Sequence, residues 1–338
     1  MKKILLFNRK TQTAANCYNI YMPTLKTIFF GTPDIAVPFL EMTRQLTDLQ
    51  LVVTQADKPR GRGMEISPCP VKKRAQELGL PVLSPEKLKD SFDQLAAVPF
   101  EVGIVVAYGK IFRPNFIALP KLGLINVHFS LLPHLRGAAP VQQALIQGYT
   151  QTGVSTFWIN EGMDDGPLFL QKTLDIQPQD NAKTLFEKLT ALGLDALRET
   201  LGQLSQNNIL KTPQAGSPTT APMLQKEDAF LRPTALTATQ LHNHVRGLAC
   251  GPKPKVPFLH NGQTEWLQVI RTEVSPAASQ SRPGTVLSIE RDRGILVQCR
   301  EGAVWLCEVQ PAGKKPMPAE AFANGRGLKI NDGVFVEV

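Results

Sequence analysis

The sequence is poor in cysteine and has no long hydrophobic run. Five cysteines occur among 338 residues, and no pair has the Cys-x-x-Cys spacing. An odd number without that spacing argues against a disulfide framework and a zinc site, and favours a reducing compartment. No apolar run approaches the roughly 20 residues that span a bilayer, and the one after Lys2 and Lys3 is too short for a signal peptide. These absences predict a cytoplasmic protein with no bound metal and no membrane partner.

Two nucleotide-binding patterns are also missing. The sequence contains neither Gly-x-Gly-x-x-Gly nor the Walker pattern, and its first strand-to-helix turn, Gly31-Thr32-Pro33-Asp34, has a single glycine. A dinucleotide is therefore not expected as a ligand. The net charge of +8 and the pI near 9.3 favour a polyanionic partner, although many basic proteins bind no nucleic acid.

Apolar spacing predicts strands that alternate with helices through residue 204. The expected strands lie at 25–30, 51–54, 82, 102–107 and 153–159, and the expected helices at 71–78, 86–97, 140–146 and 182–204. This alternation predicts an α/β fold with a Rossmann-like open sheet that is mostly parallel and carries helices on both faces. The helix at 182–204 has a leucine stripe that suits packing against the sheet.

The chain changes character after residue 204. Residues 205–222 are polar and rich in Pro, Ser and Thr, which suits an extended linker. Short strands are expected beyond it, at 266–270, 284–289, 294–299, 303–310 and 333–338, and they favour a small OB-like β-barrel. We expect a first domain at 23–204, a linker at 205–226 and a second domain at 227–338. Residues 1–22 are expected to form a loosely held extension or to precede a natural start at Met22.

One segment, residues 122–140, concentrates polar groups at the end of a predicted strand. Asn126 and His128 follow the apolar residues 122–125 and stand two apart, so they project from the same face. Open α/β sheets bind their ligands at the carboxyl ends of strands. Structural roles, in a turn or as satisfied hydrogen-bond partners, explain an Asn and a His at this place equally well.

The whole string resembles the folate-dependent formyltransferase family, whose signature is Asn-x-His followed by Ser-Leu-Leu-Pro. The family's aspartate matches Asp164 rather than Asp165, in Gly162-Met163-Asp164-Asp165-Gly166. The resemblance implies that Asn126, His128 and Asp164 are catalytic and that 10-formyltetrahydrofolate is the formyl donor. In acyl transfer His128 could donate to the oxyanion or move a proton, Asn126 could donate a second hydrogen bond, and Asp164 could orient His128. The folate-binding residues that the resemblance implies are Val106, Ala107, Tyr108, Gly109, Ser130, Leu131, Leu132 and Pro133.

A basic segment occupies residues 54–74, which contain six Lys or Arg residues and two acidic residues. A solvated surface loop could have this composition. The segment also resembles an insertion in the family branch that formylates initiator methionyl-tRNA, where it enters the acceptor stem. The C-terminal Gly313-Lys314-Lys315-Pro316-Met317 is similar to that branch too, whereas the segment at 246–257 departs from it. The tRNA-binding residues that the resemblance implies are Lys58, Arg60, Arg62, Lys314 and Lys315.

We therefore expect a monomeric enzyme that formylates initiator methionyl-tRNA. A second hypothesis is a formyltransferase for an amino sugar, glycinamide ribonucleotide or another small amine, and the basic segment argues against it. A third is a nucleic-acid-binding protein with an OB-like module and a decayed catalytic domain. The intact set of Asn126, His128 and Asp164 disfavours that hypothesis.

Overall fold

A computed structural model describes residues 25–60, 65–276 and 280–336 of the chain. The expectations for residues 1–22 and for Arg62 lie outside these ranges. Within the described residues no helix is both long enough and apolar enough to cross a membrane. The four cysteines in these ranges, Cys69, Cys250, Cys299 and Cys307, are all free thiols.

The first half of the described chain is built on an open sheet. Its strands, in chain order, are β1 (Lys26–Gly31), β2 (Asp48–Val53), β3 (Lys58–Arg60), β4 (Glu65–Ser67), β5 (Val82–Leu83), β6 (Val102–Val106), β7 (Gly123–His128), β8 (Gln151–Trp158) and β9 (Leu168–Asp175). Among the described residues, seven of these strands form the sheet, in the order β5-β2-β1-β6-β7-β8-β9, and β3 pairs only with β4. The first five strands in this order, β5, β2, β1, β6 and β7, are mutually parallel. Strand β8 runs antiparallel to both β7 and β9. The expected mostly parallel sheet is confirmed.

Helices cover both faces of this sheet. They are α1 (Val37–Leu46), α2 (Pro70–Glu77), α3 (Phe92–Ala96), α4 (Pro114–Ile117), α5 (Pro140–Ile146) and α6 (Ala182–Ser205). Along β1, Phe29 belongs to one apolar core, whereas Ile28 and Phe30 belong to the core on the opposite face. Alternation of side chains along a strand produces this division. Each face therefore buries its own apolar layer under helices.

Two of the expected helices differ in how well their patterns predicted them. The helix at 182–204 is confirmed as α6, and Leu185, Leu189 and Leu197 of its stripe are fully buried. Asn181 caps it by accepting hydrogen bonds from the backbone N–H groups of Lys183 and Thr184. The helix expected at 86–97 is instead a 3-10 turn (Leu88–Ser91) followed by the short α3. Ser91 donates its hydroxyl to the Leu88 carbonyl, a local bond of the kind that competes with regular helix.

The second half of the chain forms an antiparallel, curled sheet. Its strands are β10 (Lys255–His260), β11 (Gln263–Ser275), β12 (Val286–Glu290), β13 (Gly294–Gln298), β14 (Ala303–Gln310) and β15 (Met317–Pro318), accompanied by the helices α7 (Ala238–Gly247) and α8 (Ala319–Arg326). The strands are ordered β10-β11-β14-β13-β12, and β15 pairs with β14. This sheet confirms the expected small β-domain that follows the α/β sheet.

The strand expected at 333–338 is wrong for the residues described there, 333–336, which form no strand. The backbone near this position nevertheless joins the two edges of the second sheet. Leu259 of β10 donates to the Val334 carbonyl at 2.7 Å, and Val286 of β12 donates to the Asp332 carbonyl at 2.9 Å. The apolar sequence reflects the burial of Phe335, which packs against Phe258.

The two halves of the chain meet at α5 and α7. A Cβ at Gly247 would lie 2.9 Å from the Gln142 carbonyl oxygen and 2.6 Å from Ile146, so a glycine permits this close approach. Arg246 donates to the carbonyls of Pro178 at 3.2 Å and Asp180 at 3.0 Å. The first residue of the atypical 246–257 segment therefore binds the other half of the chain.

We expect His242 to make stability depend on pH. Burial, aided by Arg246, lowers the pKa of His242 on α7 to about 4, and its Nδ1 lies 2.9 Å from the Thr272 hydroxyl. A histidine in the unfolded chain has a pKa of about 6.5, so between pH 4 and 6.5 the unfolded chain binds a proton that the folded chain does not. The free energy of unfolding should therefore fall, by at most about 3 kcal/mol from this residue, as the pH drops from 6.5 to 4.

Denaturant titrations across that pH range test the expectation on the intact chain. His242→Gln should flatten the slope of unfolding free energy against pH, whereas a control, His260→Gln on β10, should preserve it. Equal slopes for the parent chain and the His242 variant would show that this residue stays solvated.

Candidate active site

The strand order contains a switch point of the kind at which α/β sheets bind ligands. From β1 the chain proceeds to β2 and β5 on one side, and β6 and β7 then continue on the other side. The change of direction lies between β1 and β6, which are hydrogen-bonded neighbours in parallel. Crevices at the carboxyl ends of strands beside such a switch point are the usual ligand sites of this architecture.

The carboxyl end of β7 carries Asn126 and His128. The strand was expected to end at residue 125, but it continues through both residues because Asn126 pairs with Val105 and Phe157, and His128 pairs with Ser155. His128 is buried, with 6% of its surface exposed. Asn126 is half-buried, and its amide makes no hydrogen bond to any of the described residues.

A backbone carbonyl fixes the tautomer of His128. The Nε2 atom lies 3.0 Å from the Leu135 carbonyl oxygen, and a carbonyl can only accept a hydrogen bond. Nε2 therefore carries the proton and donates it to Leu135. In the neutral ring the other nitrogen, Nδ1, then has a free lone pair that can accept a proton.

Asp164 lies on the open side of the imidazole. Its Oδ2 atom is 3.7 Å from His128 Nδ1, and the same oxygen accepts a hydrogen bond from the Gly137 N–H at 2.8 Å. Asp164 has a backbone φ of +50°, a conformation that Asp tolerates better than most residues. The structure thus brings Asp164 against His128 and leaves the neighbouring Asp165 exposed.

The residues that hold this arrangement were hard to identify from the sequence. Leu135 and Gly137 lie within the segment that carries the family signature, and only Gly137, with φ of +125°, has a residue type that hints at its backbone. Gln214 donates to the carbonyls of Asp164 and Gly166, both at 2.8 Å. It lies in the expected linker, whose composition gives no sign of a site.

The four residues from Ser130 to Pro133 are hydrogen-bonded within their own loop and to the neighbouring strands. Ser130 donates to the His134 carbonyl at 2.6 Å, and the Leu132 carbonyl accepts from Gln171 at 2.9 Å. Leu131 lines a cavity of about 430 Å³ whose walls contain none of Asn126, His128 and Asp164.

The turn after β6 presents backbone rather than large side chains. Val106 and Tyr108 are buried, and burial raises the pKa of the Tyr108 phenol to about 12, so it stays neutral at ordinary pH. Ala107 is exposed with φ of +47°, and Gly109 has φ of +71°. The Tyr108 carbonyl accepts a hydrogen bond from Gln55 Nε2 at 2.7 Å. A flat ligand at this turn would meet Ala107 and peptide groups.

Several of the basic residues at 54–74 already have partners. Lys72 pairs with Asp57 at 2.6 Å, and Arg74 pairs with Glu41 at 2.6 Å. Lys58 is exposed, and its Nζ lies 3.2 Å from Gln55 Oε1. Arg60 contributes its backbone to β3, and Arg62 lies outside the described residues.

Lys314 and Lys315 form an exposed turn between β14 and β15 and have no acidic partner among the described residues. No group of three or more His, Cys, Asp or Glu residues suited to a metal ion occurs in the described ranges.

Family models match both halves of the chain. The model described as formyl transferase covers residues 25–201, and the model described as formyl transferase, C-terminal domain, covers residues 223–327. The chain belongs to the formyl transferase family.

Similar proteins include the methionyl-tRNA formyltransferase of Elusimicrobium minutum, 48% identical over 332 residues, with coverage of 92% of this chain and 100% of the relative. The methionyl-tRNA formyltransferase of Thermodesulfovibrio yellowstonii is 42% identical over 310 residues, with coverage of 91% and 97%.

Solved structures share the fold at low identity. The N-formyltransferase from Helicobacter canadensis, in complex with folinic acid and dTDP-3-aminofucose, has a TM-score of 0.61 at 16% identity, covering 83% of this chain and 98% of that one. HypX from Aquifex aeolicus in complex with tetrahydrofolic acid has a TM-score of 0.60 at 13% identity over 91% of this chain. This chain spans 48% of the length of HypX.

We expect Gly137→Ala to damage the site. A Cβ at Gly137 would lie 2.6 Å from the Ala221 carbonyl oxygen, and φ of +125° strains any other residue. Such strain costs about 1–3 kcal/mol, and its relief would move the Gly137 N–H away from Asp164. Thermal unfolding and a formyl-transfer assay should both show the loss. Gly202→Ala, where a Cβ on α6 meets no atom within 4 Å, should unfold no lower than the parent chain and keep its activity.

Proposed function

We propose that this chain transfers the formyl group of 10-formyltetrahydrofolate to the amino group of initiator methionyl-tRNA. The observation that carries the proposal is the joining of Asn126, His128 and Asp164 at the carboxyl edge of the sheet, with His128 Nδ1 3.7 Å from Asp164 Oδ2. The identity of 48% with a methionyl-tRNA formyltransferase over nearly the whole chain supports the same assignment.

His128 acts in this mechanism as the proton acceptor. An α-amino group has a pKa near about 8, so much of it is neutral and nucleophilic at pH 7.5. As the amine attacks the formyl carbon its nitrogen gains positive charge and must lose a proton. Because Nε2 is committed to the Leu135 carbonyl, Nδ1 is the atom that receives this proton. Asp164 then stabilises the imidazolium through its nearby carboxylate.

Asn126 stabilises the negative charge on the formyl oxygen. Its amide is free of hydrogen bonds to the described residues and shares a strand face with His128. A well-placed donor at a developing oxyanion contributes about 3 kcal/mol. The new carbon–nitrogen bond forms first and places negative charge on the formyl oxygen. The bond to the donor's nitrogen then breaks, and that nitrogen takes up the proton that His128 received from the amine.

The formyl donor fits the turn after β6. When bound, the folate supplies an activated formyl group on nitrogen. Ala107 and Gly109 both have positive φ in the turn that follows β6, and the neutral Tyr108 side chain between them is buried. We propose that Val106, Ala107, Tyr108 and Gly109 bind the pterin through backbone groups. Ser130, Leu131, Leu132 and Pro133 are proposed as a second wall of the folate site.

We propose that tRNA lies across both halves of a monomer. The proposed units are a catalytic domain at 23–204, a linker at 205–226 and a tRNA-binding domain at 227–338. The gap between the two family models, at 202–222, supports these boundaries. Lys58, Arg60, Arg62, Lys314 and Lys315 are the proposed phosphate contacts. Charged tRNA is made where translation occurs, and we propose that the chain acts in that compartment, the cytoplasm.

The first test is substrate choice. Purified chain with 10-formyltetrahydrofolate should formylate charged initiator tRNA far faster than charged elongator tRNA or a nucleotide-linked amino sugar. Preference for the amino sugar would replace this proposal with a small-amine formyltransferase.

Replacement of the catalytic groups should lower turnover and leave substrate binding in place. We expect His128→Ala and Asp164→Asn each to reduce kcat by about 100-fold or more, because both act on charge that develops during the reaction. Asparagine tolerates the positive φ of Asp164, so this substitution removes the charge without added backbone strain. Asp165→Asn is the matched control and should keep kcat within threefold. Activity within threefold of the parent chain would exclude His128 or Asp164 from the catalytic set.

Replacement of the basic residues should have the opposite signature. Arg62→Ala and the double change Lys314→Ala with Lys315→Ala should raise KM for charged tRNA about tenfold, with folate binding unchanged. The slope of binding against salt should fall by about one for each phosphate that the variant no longer neutralises. Lys121→Ala, an exposed lysine next to the amino end of β7, is the control. Unchanged KM and salt slope in the Arg62 variant would contradict the acceptor-stem contact.

A further inference from the structure

The segment that joins the two halves of the chain is docked on the candidate site. We call residues 208–221 the strap. Thr212 exchanges two backbone hydrogen bonds with Leu168 at the start of β9, at 2.7 and 2.9 Å. Further on, Arg136 donates to the Thr219 carbonyl at 2.9 Å, and Ala221 donates to the Arg136 carbonyl at 2.7 Å. The strap is therefore hydrogen-bonded to the catalytic half at both ends.

Gln214 is the inward-facing residue in the exposed middle of the strap. From residue 206 to residue 218 every residue is exposed except Gln214, which is half-buried. All four hydrogen-bonding positions of its amide are used. Nε2 donates to the carbonyls of Asp164 and Gly166, both at 2.8 Å, and Oε1 accepts from Arg136 Nε at 3.2 Å and Nη2 at 2.7 Å.

These four bonds connect the two chain segments that hold His128. Asp164 supplies the carboxylate beside His128 Nδ1, in a loop with positive φ. Arg136 lies between Leu135, whose carbonyl binds His128 Nε2, and Gly137, whose N–H binds the Asp164 carboxylate. The Gln214 side chain thus links these two segments, beside the direct hydrogen bond from the Gly137 N–H to Asp164, and supports the placement of Asp164 next to His128.

We propose that Gln214 is a positioning residue for formyl transfer, which holds Asp164 against His128 from the interdomain strap. The proposal rests on the proposed function, because it assigns Gln214 a role in that same reaction. The proposal gives Gln214 no contact with substrate, and its effect passes through Asp164. Loss of its two donor bonds should let the Asp164 loop move while substrate binding persists, so kcat should fall and KM should change little.

Two substitutions separate this role from simple anchoring of Arg136. Gln214→Met removes all four bonds at similar side-chain length, and kcat should fall about 10- to 100-fold with both KM values within threefold. Gln214→Glu keeps acceptors for Arg136 but faces the carbonyls of Asp164 and Gly166 with another acceptor, so it should be impaired at least as much. Gln206→Met, an exposed glutamine without side-chain hydrogen bonds in the described chain, should match the parent within twofold. Full activity of Gln214→Glu would overturn the proposal.

A double-mutant cycle tests whether Gln214 acts through Asp164. In an Asp164→Asn background, Gln214→Met should lower kcat by less than threefold further, because the carboxylate that it positions is already gone. A multiplicative loss in the double variant would show that Gln214 acts independently of Asp164, and would also overturn the proposal.

Hydrogen–deuterium exchange separates the failure of this proposal from failure of the proposed function. Gln214→Met should speed exchange at the Gly137 amide, which Asp164 protects, and Gln206→Met should not. If the parent chain fails to formylate charged initiator tRNA, the proposed function is wrong, and faster exchange at Gly137 still supports the coupling. Unchanged exchange at Gly137 refutes the coupling whatever the reaction proves to be.

Discussion

The hydrogen bond from His128 Nε2 to the Leu135 carbonyl, at 3.0 Å, decides what the site can do. It places the proton of the neutral ring on the nitrogen that points away from Asp164 and leaves Nδ1 as the acceptor. With the opposite tautomer, Nδ1 could donate to an oxyanion but could not take a proton from the amine. In the proposed mechanism the position of the Leu135 carbonyl therefore matters as much as the identity of His128. Leu135 N–H donates to the Thr219 hydroxyl, 84 residues later in the chain, at 2.9 Å.

The carboxylate reaches the imidazole by an indirect route. Because β8 is antiparallel to β7, its last residue, Trp158, pairs with Ile125 and lies on the amino side of His128 along β7. The loop that follows must fold back along the sheet for Asp164 to approach His128. Its return relies on the positive φ of Asp164 and on the bonds from Gln214 to the carbonyls of Asp164 and Gly166. The sheet therefore positions Asn126 and His128, whereas the carboxylate of Asp164 lies on a loop that Gln214 binds from the strap.

How far the sequence predicted the molecule depended on the kind of interaction. Burial of one face of a strand or helix produces a periodic apolar pattern in the sequence. The sequence therefore predicted the alternation of strands and helices and the leucine stripe of α6. Pairing between strands is less evident from the sequence. The extension of β7 through Asn126 and His128 depends on partners in β6 and β8 that no local pattern reveals. The docking of the strap has almost no signal in the sequence, because its contacts are made mainly by backbone groups and by one glutamine in a polar stretch. The resemblance pointed to Asp164, but the sequence could not show what holds it there.

The strap also shows that the proposed linker is not a free spacer. Composition alone marks the polar stretch from 205 as a spacer between two units, yet its bonds to Leu168, Arg136 and Ala139 hold residues through Ala221 against the first half of the chain. A fragment that ended at residue 206 would lose Gln214 and Thr219, and with them the supports of Asp164 and Leu135. Its inactivity would say nothing about the need for the second half. A boundary just after residue 222 follows the hydrogen bonds and leaves the site intact, so only a fragment cut there can show whether formyl transfer to tRNA requires the curled sheet.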